Sequence, residues 1–167
     1  MVAYCSSCGS PTETRPIGRQ QLSVCSACDR VFFRNPKVVA AAVIEDRDRV
    51  LLVKRDIDPG RGLWGLPGGF VDWDEHPEQA MVRECREEVG VDVEPLELLT
   101  VLHILQEDEG IVGLYYRARL VGGIPVAADE VQEVGWFAPE RLPPLAFTTH
   151  RNILQRWAQE VRARGAA

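Results

Sequence analysis

The chain has 167 residues, of which 46% are hydrophobic, and 19 Lys and Arg stand against 25 Asp and Glu for a formal net charge of −6. That length suits one medium domain or a small domain joined to a medium one, and an ordinary apolar fraction with modest charge excludes a disordered or fibrous chain. No apolar run approaches the roughly 18–20 residues that a bilayer span needs, and Met1-Val2-Ala3-Tyr4-Cys5 has neither the basic nor the apolar region of a secretory signal, so a soluble cytoplasmic protein without a membrane partner is expected.

Charge divides the chain unevenly. Residues 1–37 carry Arg15, Arg19, Arg30, Arg34 and Lys37 against Glu13 and Asp29, a net +3 that leaves −9 for the remainder. The acidic surplus argues against broad phosphate-backbone binding by the larger part, and no nucleic-acid partner is expected.

The first feature along the chain is a cysteine framework. Cys5-Ser-Ser-Cys8 and Cys25-Ser-Ala-Cys28 hold four of the five cysteines, with 16 residues between the pairs. Two tight Cys-x-x-Cys turns facing each other at the end of a hairpin suit a tetrahedral zinc site, and Gly9 gives the first turn its backbone freedom. The segment from Gly9 to Val24 has few large apolar side chains, so burial alone does not hold it and metal is expected to. Two disulfides, or a redox role for either pair, are the alternatives. A reducing compartment disfavours the first, and the second lacks its strand-to-helix context. Four thiolates leave no open coordination position, which makes the expected Zn²⁺ structural.

Arg34-Asn35-Pro36-Lys37 marks a boundary, giving a ribbon over 1–36 and a larger domain over 37–167. Val38 to Ile44 reads as a buried strand, and Val50 to Val53 as its hairpin partner across a polar turn. The Gly- and Pro-rich run from Asp58 to Gly69 reads as a loop with a short strand, suited to close approach by another group. Pro77 to Val89, closed by Gly90, predicts a helix of about 13 residues. Leu98 to Leu105 and Ile111 to Val121 predict paired strands around an acidic turn at Glu107-Asp108-Glu109-Gly110, and Glu133 to Phe137 another short strand. From Thr148-Thr149, with a Thr cap, Ile153, Leu154, Trp157 and Val161 follow at helical spacing and are read as core.

Chemistry concentrates in the helix over 77–89. Glu84, Glu87 and Glu88 stand at i, i+3 and i+4, so three carboxylates share one face while Met81, Cys85 and Val89 form another suited to burial. Like charges this close repel unless compensated, and a hard divalent cation, Mg²⁺ or Mn²⁺, is the simplest compensation. From Gly69, five residues lead to Glu75 and seven more to Arg83-Glu84, followed by Cys85-Arg86-Glu87-Glu88-Val89-Gly90-Val91. This run resembles the 23-residue signature of the Nudix hydrolases, Gly-x5-Glu-x7-Arg-Glu-U-x-Glu-Glu-x-Gly-U with U bulky and apolar. Cys85, smaller than the usual U residue, is the single departure. An N-terminal four-cysteine ribbon joined to such a domain is similar to the NADH and FAD pyrophosphatase branches of that family.

The resemblance implies an α/β fold, the Nudix α/β/α sandwich with a mixed sheet, preceded by a small zinc-ribbon domain. It implies Glu84, Glu87 and Glu88 as metal ligands with the carbonyl of Gly69, and Arg83 paired with Glu75 to orient the helix face. Glu130, six residues before Trp136, resembles the acid that reaches in from a later loop as ligand or base, with Glu133 the weaker candidate. The implied reaction is metal-dependent hydrolysis of the pyrophosphate in a nucleoside diphosphate linked to another group, water attacking phosphorus, by a homodimer acting on small nucleotides. The stretch from Leu99 to Glu107 lacks the Ser-Gln-Pro-Trp-Pro type of run of the NADH branch, while Arg34 to Lys37, Lys54 to Pro59 and Gly62-Leu63-Trp64 look closer to the branch acting on FAD and ADP-ribose. NADH or nucleoside triphosphates, and a non-catalytic nucleotide sensor, remain the alternatives. Trp64, Tyr115, Tyr116 and Phe33 are candidate base-stacking rings that suit a core equally well. His76, His103 and His150 are scattered, with no Ser-His-Asp order, and His76 is read as a surface residue.

Overall fold

A computed structural model describes residues 2–106 and 109–165. The chain divides into two compact units, Met1–Pro36 and Lys37–Ala167. In the first, β1 (Thr12–Ile17), β2 (Gln20–Cys25) and β3 (Val31–Phe32) form an antiparallel sheet in the order β1-β2-β3. Its buried residues are few, chiefly Leu22, Val24, Cys5 and Cys25, as expected of a unit that depends on more than apolar burial.

The second unit begins with β4 (Lys37–Asp46) and β5 (Arg49–Arg55). Arg47 and Asp48 join them with φ of 46° and 60°, the pair of left-handed residues that a two-residue hairpin turn requires. Next come β6 (Trp64–Gly65), β7 (Gly68–Phe70), α1 (Pro77–Val89), β8 (Asp92–Gln106), β9 (Glu109–Gly122), β10 (Val131–Phe137) and α2 (Thr148–Gly165). The main sheet runs β10-β5-β4-β9-β8, with β6 on β5 and β7 on β4. Among the named strands of the described residues, β4 and β9 are the one parallel pair, so the sheet is mixed.

The apolar run of β4 is buried on both faces, and its alternation feeds two cores. Ala40, Ala42 and Ile44 join Leu51, Val53 and the Ala80, Met81, Cys85 and Val89 stripe of α1. Ala41 and Val43 join Val50, Leu52 and the Ile153, Leu154, Trp157 and Val161 stripe of α2. One helix thus covers each face, giving an α/β/α sandwich.

Two features depart from expectation. Strand β8 starts at Asp92, six residues before the predicted Leu98, because register shifts at Asp92/Val93, Pro95/Glu97 and Leu98/Thr100 carry Glu94, Pro95 and Glu97 along the sheet edge. At the acidic turn, Glu109 and Gly110 already belong to β9, and Glu107 and Asp108 lie outside the described residues.

Candidate active site

Helix α1 is fixed at both ends by its own sequence. His76 is the N-cap: its Nδ1 accepts from the N–H of Glu78 at 3.3 Å, and Gln79 Oε1 accepts from the N–H of His76 at 3.0 Å. This capping box gives the residue that the sequence left on the surface a structural task, and its signal was the Pro77 and Gln79 that follow it. Gly90 closes the helix at φ 66°, its N–H on the carbonyl of Arg86 at 3.0 Å.

Between these caps Arg83 gathers the acidic face. Its Nη2 lies 2.6 Å from Glu75 Oε1, Nη1 lies 2.8 Å from Glu84 and 2.9 Å from Glu87, and Nη2 also donates to the carbonyl of Phe70 at 3.0 Å. One guanidinium therefore joins the end of β7 and Glu75 in the loop after it to two carboxylates of α1, which its fixed fork of donors allows. Hydrogen bonding to Arg83 holds the Glu75 carboxyl below the usual range.

Strand β7 brings backbone against this face. The N–H of Gly68 donates to Glu88 Oε2 at 2.8 Å. A Cβ on Gly69 would lie 2.5 Å from the Glu84 carboxylate, and one on Gly68 would lie 2.3 Å from the carbonyl of Ala40. The two glycines thus let β7 run between β4 and the glutamates, a requirement that the Gly-Gly pair signalled only as general freedom.

Glu88 is buried, and burial, opposed by the Gly68 N–H, pushes its carboxyl up to about 8. Burial also raises Glu84, against the pull of Arg83. The charge of Glu130, in the turn before β10, adds to the upward push on both, so this residue lies within electrostatic range of the cluster. Glu133 points elsewhere, with its carboxylate 3.4 Å from Lys54 Nζ on the exposed side of β10.

Three of the four candidate stacking rings, Trp64, Tyr115 and Tyr116, are buried. Trp64 is 9% exposed with its ring centroid 4.7 Å from that of Phe137 in an edge-to-face contact, and Tyr115 is 2% exposed beside His150. Both belong to the α2 core, Tyr116 is buried in the α1 core, and Phe33 is exposed in the first unit. A ring buried in a core has nothing to offer a base, so Trp64, Tyr115 and Tyr116 are core packing. The exposed rings of the second unit are Phe70 and Trp73, the latter 95% exposed two residues before Glu75. His150, which the sequence left without a role, accepts the N–H of Leu66 on Nδ1 at 3.1 Å and so ties α2 to the Gly- and Pro-rich segment.

In the first unit the four cysteine sulfurs lie within 4.8 Å of one another, the one such convergence of His, Cys, Asp or Glu ligand atoms among the described residues. Cys8 and Cys25 are 3.5 Å apart, and Cys28 is 3.8 Å from both Cys5 and Cys8. Four sulfurs each about 2.3 Å from one zinc stand about 3.8 Å apart at tetrahedral angles, whereas a disulfide needs about 2.05 Å. The two turns match: Cys5 N–H bonds Ser10 and Cys25 N–H bonds Arg30, with left-handed Gly9 and Asp29 at equivalent places. Backbone N–H groups of Ser7, Ala27 and Cys28 point at sulfur at 3.4 Å, and the backbone of Ser10 brings the Cys8 thiol down to about 6. The cluster fits Zn²⁺.

Comparison with known proteins is consistent with this geometry. The NUDIX domain matches residues 34–157. The chain is 34% identical over 131 residues to an ADP-ribose pyrophosphatase of Methanocaldococcus jannaschii, an alignment covering 75% of this chain and 77% of that protein. It is 30% identical over 145 residues to the NAD-capped RNA hydrolase NudC of Stutzerimonas stutzeri, covering 85% of this chain and 50% of the relative, so it spans half the length of that protein. A crystal structure of a NUDIX hydrolase from Nitrosomonas europaea superposes with a TM-score of 0.87 at 32% identity, covering 95% of this chain and 92% of that one.

Proposed function

From the premise that this chain belongs to the Nudix hydrolase family, whose NUDIX domain it carries over residues 34–157, we propose that it cleaves the pyrophosphate of a nucleoside diphosphate linked to a second group, of the ADP-ribose or FAD type. Water is the nucleophile and attacks phosphorus. The observation that carries this reading is the assembled acidic face of α1, where Arg83 spans Glu75, Glu84 and Glu87 while Gly68 holds Glu88. Similarity to an ADP-ribose pyrophosphatase supports the substrate class.

Glu84, Glu87, Glu88 and Glu130, with the carbonyl of Gly69, would hold Mg²⁺ or Mn²⁺. The set is all oxygen, as these hard cations prefer, and a divalent charge would offset the burial, and the lesser mutual repulsion, that push Glu84 and Glu88 up. Such an ion supplies neutralisation of phosphate oxygens and acidification of bound water. The chain's own residues do the rest. Arg83 keeps Glu75 and Glu84 in register with the backbone of Phe70, the Gly68 N–H orients Glu88, and a carboxylate of the set accepts the proton of the attacking water.

The first unit serves as a structural zinc ribbon in this reading, supported by the sulfur separations. The homodimer belongs to the same proposal; β8 supports it as a free sheet edge carrying exposed Leu98, Val101 and Leu105. Among the described residues no helix is long and apolar enough to cross a membrane.

The test is product release from ADP-ribose, FAD, NADH, deoxynucleoside triphosphates and NAD-capped RNA with Mg²⁺. AMP from ADP-ribose or FAD at the highest kcat/KM is the expected result, and preference for a triphosphate would overturn the substrate class.

A further inference from the structure

Glu130 has φ of 60°, a left-handed backbone that a non-glycine residue holds only when its surroundings impose it. On its N-terminal side the imposing contacts come from the end of α1. The N–H of Val126 donates to the carbonyl of Val89 and that of Ala128 to the carbonyl of Glu88, both at 3.0 Å, and the N–H of Val131 returns to Ala128 at 3.2 Å. On the other side the contacts come from Asp56, just past the end of β5. Its N–H donates to the carbonyl of Glu130 at 2.8 Å.

Beyond Glu130 the strand is irregular in a way that serves this contact. Val131 stands opposite Arg55 and Glu133 opposite Lys54, so Gln132 is an extra residue without a partner on β5. Its side chain turns to Asp56, with Nε2 donating to Oδ1 at 2.9 Å, while Arg61 Nη1 lies 3.8 Å from the same oxygen. Asp56 therefore grips the turn twice, by its N–H before the bulge and by its carboxylate at the bulge. The first grip falls on Glu130 itself and the second on Gln132, two residues on, so the left-handed residue is tied to Asp56 directly and again through the bulge.

We propose that Asp56 and Gln132 are positioning residues for the hydrolysis: their hydrogen bond pins the left-handed turn at Glu130, and so fixes where that carboxylate stands relative to α1. This rests on the assignment of Glu130 to the active site. Neither Asp56 nor Gln132 touches the reacting atoms. Their effect falls on how often Glu130 is in place, and thus on kcat rather than on KM.

The experiment compares steady-state kinetics and melting temperatures of Asp56→Ala, Asp56→Asn, Gln132→Glu, the double variant D56N/Q132E, and Glu130→Gln, with ADP-ribose and saturating Mg²⁺. Asp56→Ala is expected to lose about five- to tenfold in kcat, the equivalent of one hydrogen bond, with KM within about twofold and melting unchanged. Asp56→Asn keeps an acceptor for Gln132 and should stay near wild type. Gln132→Glu sets two carboxylates face to face and should match the loss, and D56N/Q132E reverses the donor and acceptor and should recover it. Full kcat in Asp56→Ala beside a depressed Glu130→Gln would overturn the latch alone. Equal losses in all four Asp56 and Gln132 variants, with no recovery in the double variant, would also overturn it. Full kcat in Glu130→Gln would overturn the assignment of Glu130, and the latch with it.

Discussion

His150 is neutral in the fold because burial leaves its imidazolium without water, and the nearby Arg55 charge works in the same direction, bringing it down to about 3. Unfolded, it titrates near 6.5. Between those values the unfolded chain binds the extra proton, so this contribution to stability is complete above pH 6.5 and is lost as pH falls toward 3. In His150→Gln, whose amide oxygen still accepts the Leu66 N–H, urea midpoints should fall less steeply between pH 6.5 and 4 than in wild type. Equal slopes would contradict the linkage. Arg83 presents the complementary case of a charge held in place by partners on several sides. Lysine keeps the charge but not the fork that reaches Glu75, Glu84, Glu87 and the Phe70 carbonyl together. Arg83→Lys should therefore lower kcat/KM by about 10- to 100-fold with far-ultraviolet circular dichroism unchanged, the size typical of losing a group that orients ligands.

At the scale of elements, α1 was legible because every local signal agrees: Pro77 at the first turn, Gly90 at the close, and an apolar stripe set apart from an acidic one. Its exact partner was not. The sequence shows that Gly69 is a glycine but not that β7 passes so near Glu84 that a methyl group has no room. Gly69→Ala should separate β7 from α1, costing about 1–3 kcal/mol by urea denaturation and removing most of the activity. The first half of β8 was illegible for the opposite reason. Glu94, Pro95 and Glu97 break the local strand pattern, and only the pairing with β9 across three register shifts makes a strand of them. Likewise Trp64 and Tyr115 carry no sequence mark that separates a stacking platform from a core ring; burial against Phe137 and α2 decides it.

For the whole molecule, the uneven charge of the sequence reflects two units stabilised by different means. The larger has two apolar cores on either side of one sheet, whereas the smaller has a handful of buried side chains around four sulfurs. Metal analysis should return one zinc per chain. A zinc-selective chelator should expose the amides of β1 and β2 to hydrogen exchange while those of β4 and β5 stay protected. The reaction proposed for the larger unit is the opening of a pyrophosphate by water at the acidic face of α1. Its most direct test is turnover of ADP-ribose with Mg²⁺ in ¹⁸O-water, followed by mass spectrometry of the products, for wild type and for Glu87→Gln. AMP and ribose 5-phosphate with one ¹⁸O per turnover in one of the two phosphates are expected, with a rate lower by about a hundredfold or more in the variant. Intact ADP-ribose, unlabelled products, or a Glu87→Gln rate equal to wild type would contradict it.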